Sequence, residues 1–588
     1  MVHCPRTAPL TGFVRRALRR ELDAQNPLLQ LVELLTERDR LQINTQQWAN
    51  PHQLPERGAL LVKLSELAEQ MQRSDLRNEG SQVRAKEQAA QTLLGHARAR
   101  QMLDAGVQLN ILDEDLPNDE VLFIHQLVQE FFAARQFARQ PDMALLRTAW
   151  RADAIQPSLS ETLAALADSD PLPPAPATGW EETAQLAAAM AAQPDDFVRA
   201  LAEANLPLAA QCAAAPGVRV LPALKTELQR ALVARTQDAS ADLRARIAAG
   251  LALGALGDPR FECRSGPHGE YLLPPLIAVA AGEYTLGDDN GDYANQKPAH
   301  PVEIAAFEMG QFPVTNAEFG LFMQAGGYED LRWWTTEADK AWQRGEGAVE
   351  GQRQSWRDTR NTLKTDWTDD TLREAVKQNR FTSKQADDYI TIRNWSDEEF
   401  ENWLDGFLVE GEVYRQPRYW DDPIYNNPNQ PVVGICWYEA RAYCAWLSAQ
   451  TERAFRLPSE AEREAATRGL GGRKFAYGEK FDAALCNTFE SHIRRTTPIG
   501  VFPGGDTPEG FVDLCGNVYD WTSSTYLDYP YSADSAHEDA SSTDVKRVLR
   551  GGSWVLNHFL ARAAYRFGDL PGGRVSVIGF RFVAAPVP

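Results

Sequence analysis

The sequence is poor in the groups that do covalent and metal chemistry. Its 588 residues hold seven cysteines and nine histidines. The cysteines are scattered and odd in number, and no two are separated by two residues, which excludes a disulfide framework and a CxxC metal or redox site. No HExxH and no pair of histidines four apart occurs, so a zinc-hydrolase helix is excluded. The loop GxxxxGK(S/T) is also missing. A phosphate cradle needs those glycines and that lysine, so the chain is not expected to hydrolyse ATP by itself. No apolar run approaches the length of a membrane span. Positive charge is in deficit: 60 Lys and Arg stand against 81 Asp and Glu, a net charge of −21. That balance argues against broad nucleic-acid or anionic-membrane binding. The first twenty residues are basic without an apolar core, so no secretory signal is expected, and the cytoplasm is the expected compartment.

What is present reads as several domains. Leu60, Leu64, Leu67 and Met71, and then Phe123, Leu127 and Phe131, recur at helical spacing. His125 lies within the second of these stripes and is read as a core histidine. Pro171-Leu172-Pro173-Pro174-Ala175-Pro176 is a stiff spacer. An Ala- and Leu-rich stretch to about Leu256 fits helix pairs without a clean period, and Gly257 to Pro275 is a second boundary. Beyond it, Thr315 with Glu318 and Ser459 with Glu462 form capping boxes ahead of apolar stripes. Cys436 and Cys444 fall on one expected helix and read as buried small apolar residues. Residues 331–413 are charged, Trp-rich and helical in pattern.

The terminal stretch carries the most information. Arg550-Gly551-Gly552-Ser553-Trp554 and Ile578-Gly579-Phe580-Arg581-Phe582 frame an aperiodic segment, punctuated by Gly568, Pro571, Gly572 and Gly573. With Ala281-Gly282-Glu283-Tyr284-Thr285-Leu286-Gly287, with Pro431 to Ala440, with Arg456-Leu457-Pro458-Ser459-Glu460-Ala461-Glu462 and with Gly516-Asn517-Val518-Tyr519-Asp520-Trp521, this frame resembles the formylglycine-generating-enzyme type of C-type lectin fold. The first half is similar to the C-terminal part of a NACHT-type NTPase, on Asn26-Pro27-Leu28-Leu29-Gln30-Leu31 and on Phe123 to Ala134. The resemblances imply a multidomain chain, with an all-α N-terminal half of winged-helix and helical-repeat character and an α+β C-type lectin domain behind it. The expected boundaries are 1–150 for the NACHT-like region without a P-loop, 151–257 for the helical repeats, and 258–588 for the lectin-type domain with an insertion at about 331–413. That insertion packs beside the binding face or elaborates the surface.

The resemblance also implies a departure. The oxidising enzymes of this type hold copper on two cysteines shortly after GGS. Leu556 and Ala561 occupy the matching positions, and no cysteine follows Cys515. A thiolate is the nucleophile and the soft-metal ligand, so that chemistry has no apparatus here. No catalytic residue is assigned. The iron-binding histidine cluster of the sulfoxide-synthase branch is missing as well. Arg550, Arg562, Arg566, Arg574 and Arg581 are expected to brace loops against buried carboxylates and carbonyls, and Asp513, Asp520 and Glu439 to do the same from the other side.

Variable proteins of diversity-generating retroelements share this frame and diversify residues ahead of the GFR strand. Their mutagenesis acts on AAC-type codons and cannot produce Lys, Glu, Gln, Met or Trp, and none of these occurs from Val555 to Ile578. The expected ligand-binding surface comprises Val555, Leu556, Asn557, His558, Phe559, Leu560, Tyr565, Phe567, Gly568, Asp569, Leu570, Val575, Ser576 and Val577. Large apolar groups in a loop mark a binding surface. The expected ligand is a protein or other macromolecule, with an NTPase or signalling protein as a second partner, and neither membrane nor nucleic acid. A metal oxidoreductase and an undiversified adaptor are the alternatives. No cofactor is assigned. Asp288, Asn290 and Asp292 alternate like a calcium loop and are the candidates for one structural calcium ion, although Gly291 is misplaced for an EF-hand.

Overall fold

The computed structural model describes residues 7–73, 84–168, 170–346, 349–377, 383–408, 411–533, 536–541 and 545–586. Two compact units form. One takes Met1–Ala149 and Pro176–Ala231, the other Trp150–Ala175 and Leu232–Pro588. The division differs from the expected segments at 151–257, which is shared between the units.

In the first unit, helices Thr7–Asp23 and Glu37–Thr45 precede α1 (Ala59–Arg73), β1 (Arg84–Lys86), α2 (Glu87–Leu94), α3 (Ala99–Gln108), β2 (Leu112–Asp115), β3 (Glu120–Phe123) and α4 (Gln126–Arg139). The strands make one antiparallel sheet in the order β1-β3-β2. Leu60, Leu64, Leu67 and Met71 are fully buried, as are Phe131 and Phe132 of α4. Three further helices, α5 (Glu181–Met190), α6 (Pro194–Ala204) and α7 (Leu206–Ala214), belong to the same unit. Trp180 and Phe197 close on Phe137 at ring distances of 5.9 and 6.1 Å. His125 is not a core residue. It is exposed and caps α4, its Nδ1 accepting from the Leu127 N–H at 3.0 Å, because an extended residue ahead of a helix can satisfy an orphan donor of the first turn.

The second unit is α+β. Helix α8 (Leu243–Leu256) packs on the domain that follows: the Asn429 amide donates to the Gly250 carbonyl, and a Cβ added at Gly250 would meet Pro498 at 2.7 Å. One hairpin precedes β4 (Leu276–Val279) and a second follows it, and then come β5 (Phe307–Gly310), α9 (Asn316–Gln324), α10 (Glu337–Gln343), α11 (Val349–Asp366), α12 (Asp369–Lys377), α13 (Ser383–Asn394) and α14 (Asp397–Phe407). They are followed by α15 (Trp437–Thr451), β6 (Phe455–Arg456), α16 (Glu460–Arg468), β7 (Tyr519–Thr525), β8 (Arg547–Arg550), β9 (Arg566–Asp569), β10 (Ile578–Phe580) and β11 (Val583–Ala584). Two four-stranded sheets result, β6-β11-β5-β4 and β9-β8-β7-β10, with β7 and β10 parallel. The GFR strand thus returns beside the strand that begins at Tyr519. Trp521, Phe580, Tyr443 and Trp446 bury together in one core, while Leu286, Met309, Phe511 and Val583 form a second.

The insertion is narrower than expected. Trp333, Trp334 and Trp342 join the main core, so 331–344 is part of the domain. Helices α11–α14 instead form a lobe with its own core of Leu363, Leu372, Ile392, Phe400 and Leu404.

Both capping boxes form as read. At the first, Thr315 donates to the Glu318 carboxylate from its N–H at 2.7 Å and its hydroxyl at 2.8 Å. Burial nevertheless pushes the Glu318 carboxyl up to about 8 from the ordinary 4.5, the Thr315 hydrogen bonds opposing it only in part. The native chain therefore binds this proton more tightly than the unfolded chain. The group's contribution is complete below about pH 4.5 and is lost as the pH rises to about 8. Glu318→Gln keeps an acceptor for Thr315 without the charge. Each tenfold difference in proton affinity between the folded and unfolded chain is worth about 1.4 kcal/mol. Relative to the parent, Glu318→Gln is therefore expected to gain up to about 4 kcal/mol between pH 5 and pH 9, read from denaturant melts at the two pH values.

Candidate functional site

The terminal segment hangs from a rigid frame. Gly551 and Gly552 take φ of +101° and +74°. A Cβ on Gly551 would lie 2.7 Å from an Arg463 nitrogen, and one on Gly552 2.8 Å from the Leu560 carbonyl, so the turn closes only with glycine. Ahead of it Arg550 is buried. Its guanidinium pairs with Glu460 and, at 2.7 Å, with Glu464, and Arg566 reaches the other Glu460 oxygen at 2.7 Å. Burial alone would raise the Glu460 carboxyl, but Arg550 and Arg566 hold it below the usual carboxylate range. Asp520 is shared in the same way by Arg463 at 2.8 Å and Arg581 at 3.1 Å. The arginines of the terminal stretch thus brace loops, as their recurrence there suggested.

The backbone between the anchors is held in part by groups outside it. The Phe489 N–H donates to the Leu556 carbonyl at 2.9 Å, the Gly434 N–H to Val575 at 3.1 Å, and the Trp437 N–H to Pro571 at 2.9 Å. Arg574 donates to both oxygens of Glu439 at 3.1 Å and to the Gln416 carbonyl, while Glu439 also accepts from the Cys436 N–H at 2.6 Å and from Tyr328. Few of these bonds come from the side chains expected to vary.

Those side chains divide in two. Phe559 and Phe567 stay 38% and 44% exposed. Val555, Leu556, His558, Leu560, Asp569, Val575, Ser576 and Val577 are half-buried. His558 stacks on Phe481 with ring centroids 4.5 Å apart and meets a Glu490 oxygen at 2.7 Å through Nδ1. Asn557, Tyr565, Gly568 and Leu570, by contrast, are buried, so the expectation that they are displayed is corrected. Tyr565 packs against Tyr293 at 5.3 Å, and a Cβ at Gly568 would sit 2.7 Å from the Tyr526 ring. Their neighbours come from elsewhere in the chain, which no local pattern reveals.

The second half of the segment faces the helical lobe. Between them lies a cleft of about 780 Å³. Phe567, Gly568, Asp569, Leu570 and Gly572 to Val575 form one side, and Trp356, Tyr389 and Phe407 of the lobe the other. Tyr414 and Trp342 lie at its base, 5.7 Å apart and nearly parallel, with the Arg574 guanidinium 3.9 Å from the Tyr414 ring. Arg415, Arg418 and Lys546 add positive charge at the rim. Burial raises the Asp569 carboxyl above the ordinary range, while the Leu570 N–H and Lys546 pull the other way. The charged, Trp-rich composition of 331–413 was the signal for this wall. Arg418, Lys546 and Tyr414 carried none.

The residues at the two copper positions do not fit the metal. Leu556 packs its side chain against the main core, and Ala561 is fully buried. Of the cysteines, Cys212, Cys436, Cys444, Cys486 and Cys515 are buried and Cys263 is exposed; burial pushes the buried thiols up, Cys515 to about 11. Burial of this kind makes a thiol a poor nucleophile. The seventh, Cys4, lies outside the described residues. Among the described residues no group of three His, Cys, Asp or Glu side chains converges. At the calcium candidates, Asp288 accepts from the Asn290 N–H at 2.9 Å, and Asp292 pairs with Arg562 at 2.7 Å. No helix among the described residues is long and apolar enough to cross a membrane.

Comparison with known proteins gives relatives with and without catalysis in their names. The formylglycine-generating enzyme of Bos taurus is 29% identical over 339 residues, covering 54% of this chain and 76% of that protein. The hercynine oxygenase of Mycolicibacterium thermoresistibile is 30% identical over 334 residues, 53% of this chain and only 60% of its own length. An inactive C-alpha-formylglycine-generating enzyme 2 of Bos taurus is 28% identical, covering 52% of this chain and 86% of that protein. Among solved structures, PvdO from Pseudomonas aeruginosa is 20% identical with a TM-score of 0.34, and Treponema denticola variable protein 1 is 19% identical with a TM-score of 0.32. Each covers 56% of this chain and 100% of its own. The family model of the sulfatase-modifying factor enzyme 1-like domain matches residues 266–586, more than half of the sequence, and the chain belongs to that family.

Proposed function

We propose that this protein is a ligand-binding variable protein of the diversity-generating retroelement kind, which uses the family's fold as a display scaffold rather than as an oxidase. One observation carries the reading. Exposed and half-buried apolar side chains, Phe559 and Phe567 foremost, stand on a segment whose backbone is held by its own turns, by the ladder between β9 and β8, and by Phe489, Gly434 and Trp437 from outside it. A surface built this way tolerates exchange of its side chains, and aromatic groups there give contact area at low entropic cost. The absence of thiols at 556 and 561 supports the same reading, and no cofactor is called for.

The N-terminal unit is the coupling half of this proposal. Its order of helix, strand, two helices and two strands, with the sheet order β1-β3-β2, supports reading it as a winged helix. The cations at α3 are engaged: Arg98 pairs with Glu33, and Arg100 with Glu87, Asp104 and Glu114. Few charges are left for phosphates, which favours a protein contact over a nucleic-acid one. The partner is a NACHT-type NTPase or signalling chain in the cytoplasm. The test is the encoding locus. A reverse transcriptase gene and a near-identical copy of codons 555–577, differing at adenines, are expected beside it, and their absence overturns the diversification.

A further inference from the structure

Resting on the reading of 555–577 as a recognition surface, we infer that the cleft between the helical lobe and residues 567–575 takes an extended acidic polypeptide segment carrying an aromatic side chain. Three observations converge. The first is charge. The chain is strongly acidic overall, with a net charge of −21, yet the cleft is lined by four cations and two carboxylates. Arg574 is taken by Glu439, and Arg415 by Glu329 at 3.2 Å. Arg418 and Lys546 are exposed and form no close ion pair among the described residues, Lys546 acting only at a distance on Asp569 of the same cleft. Arg418 is held in place instead, its guanidinium 4.6 Å from the Phe407 ring and its N–H donating to the Gly434 carbonyl at 2.9 Å. A preorganised guanidinium recognises a carboxylate at little entropic cost.

The second is the wall. Trp356, Tyr389 and Phe407 face Phe567 across the cleft, and Trp356 and Phe407 lie against Trp403 of the lobe at 5.1 Å each. Such a slot accepts an aromatic or large apolar side chain. The third is the backbone. Among the described residues, strand β9 is the edge of its sheet and pairs only with β8, and its residues Phe567 to Asp569 line the cleft. Asn295 occupies one end of the edge, donating to the Arg566 carbonyl at 3.0 Å. An unpaired edge beside side-chain pockets binds extended chain by adding a strand.

The probe is a set of fluorescein-labelled decapeptides read by anisotropy on the full chain. One repeats Glu-Trp-Asp-Phe, one replaces its acids by lysine, and one replaces its aromatics by alanine. The acidic aromatic peptide is expected to bind at least about tenfold more tightly than either control, and Arg418→Glu with Lys546→Glu to lose about tenfold or more. Leu470→Ser, on an exposed turn after α16, should leave binding unchanged. Equal binding of the three peptides, or indifference to the charge reversal, overturns the assignment. A second arm separates it from the broader reading. Binders panned from a phage-displayed random library against the full chain are retested on both variant surfaces. If they are lost with Phe559→Ser but survive the charge reversal, the cleft assignment falls and the recognition surface stands. If they ignore both changes, both fall.

Discussion

Replacing Glu460 by alanine is expected to unfold the C-terminal domain. Its carboxylate is fully buried and answers two buried guanidiniums, Arg550 and Arg566, whose side chains are each 1% exposed. Tyr529 also donates to it, at 3.1 Å. Removing one member of such a cluster leaves uncompensated charge in a low dielectric, at about 3–5 kcal/mol for a single pair. Here two cations lose a partner. Glu464 retains Arg550 at 2.7 Å but accepts nothing from Arg566. Since domains commonly hold only about 5–15 kcal/mol in total, the variant should show no cooperative melt by circular dichroism at 25 °C. Glu460→Gln should fare little better, because shape is kept while the charge is lost. A Glu460→Ala domain melting within a few degrees of the parent would show that water reaches this cluster and that the arginines do not brace the frame.

Arg574→Ala is the second large effect, and it acts on the site as well as on stability. Arg574 joins the 570–575 loop to the start of α15 through Glu439, and to the cleft base through Tyr414. Glu439 is fully buried, and without its cation it keeps Cys436 N–H and Tyr328 as donors only. The stability loss is expected at about 3 kcal/mol, the lower end for a broken buried pair. Binding in the cleft should be abolished. Hydrogen exchange at 570–577 should accelerate far more than at β7, because the loop loses its side-chain tether while the sheet keeps its ladder. Uniform acceleration across the domain would mean that Arg574 supports the fold as a whole and has no special hold on the loop.

How much of this the sequence showed depends on the range of the interaction. The capping boxes of Thr315 and Ser459 lie within one helical turn, and local chemistry specifies them. The frame from Arg550 to Trp554 and from Ile578 to Phe582 was readable because glycines and large aromatics mark a turn and a strand with one buried face, although Arg581 on the other face is buried as well. The bracing role of the arginines followed from their recurrence through the terminal stretch. The burial of Asn557, Tyr565, Gly568 and Leu570 was not readable. Tyr293 and Tyr526, which cover two of them, lie far away in sequence, and the segment has no period to show an inner face. Asp292 read as a calcium candidate, and its ion pair with Arg562, far away in sequence, was not visible there. His125 sat in an apolar stripe and still turned outward, because helix spacing does not apply to the residue that caps the helix. The cleft joins 342–418 to 546–575, and only composition hinted that the insertion belonged beside the displayed face.

The measurement closest to the central claim is a pair of thermal melts on the full chain. One variant combines Phe559→Ser with Phe567→Asn, the exposed aromatics of the segment; the other combines Tyr565→Asn with Leu570→Asn, its buried members. The first should melt within about 5 °C of the parent, since partly exposed side chains contribute little and about 1 kcal/mol moves a domain of this size by only a few degrees. The second should lose its cooperative transition, as two buried apolar groups are worth about 1.5–3 kcal/mol each before the cost of burying two amides. That contrast is the signature of a display surface on a fixed frame. If instead the first variant falls by more than about 15 °C, the exposed aromatics are part of the core, and the segment is an ordinary loop of the family.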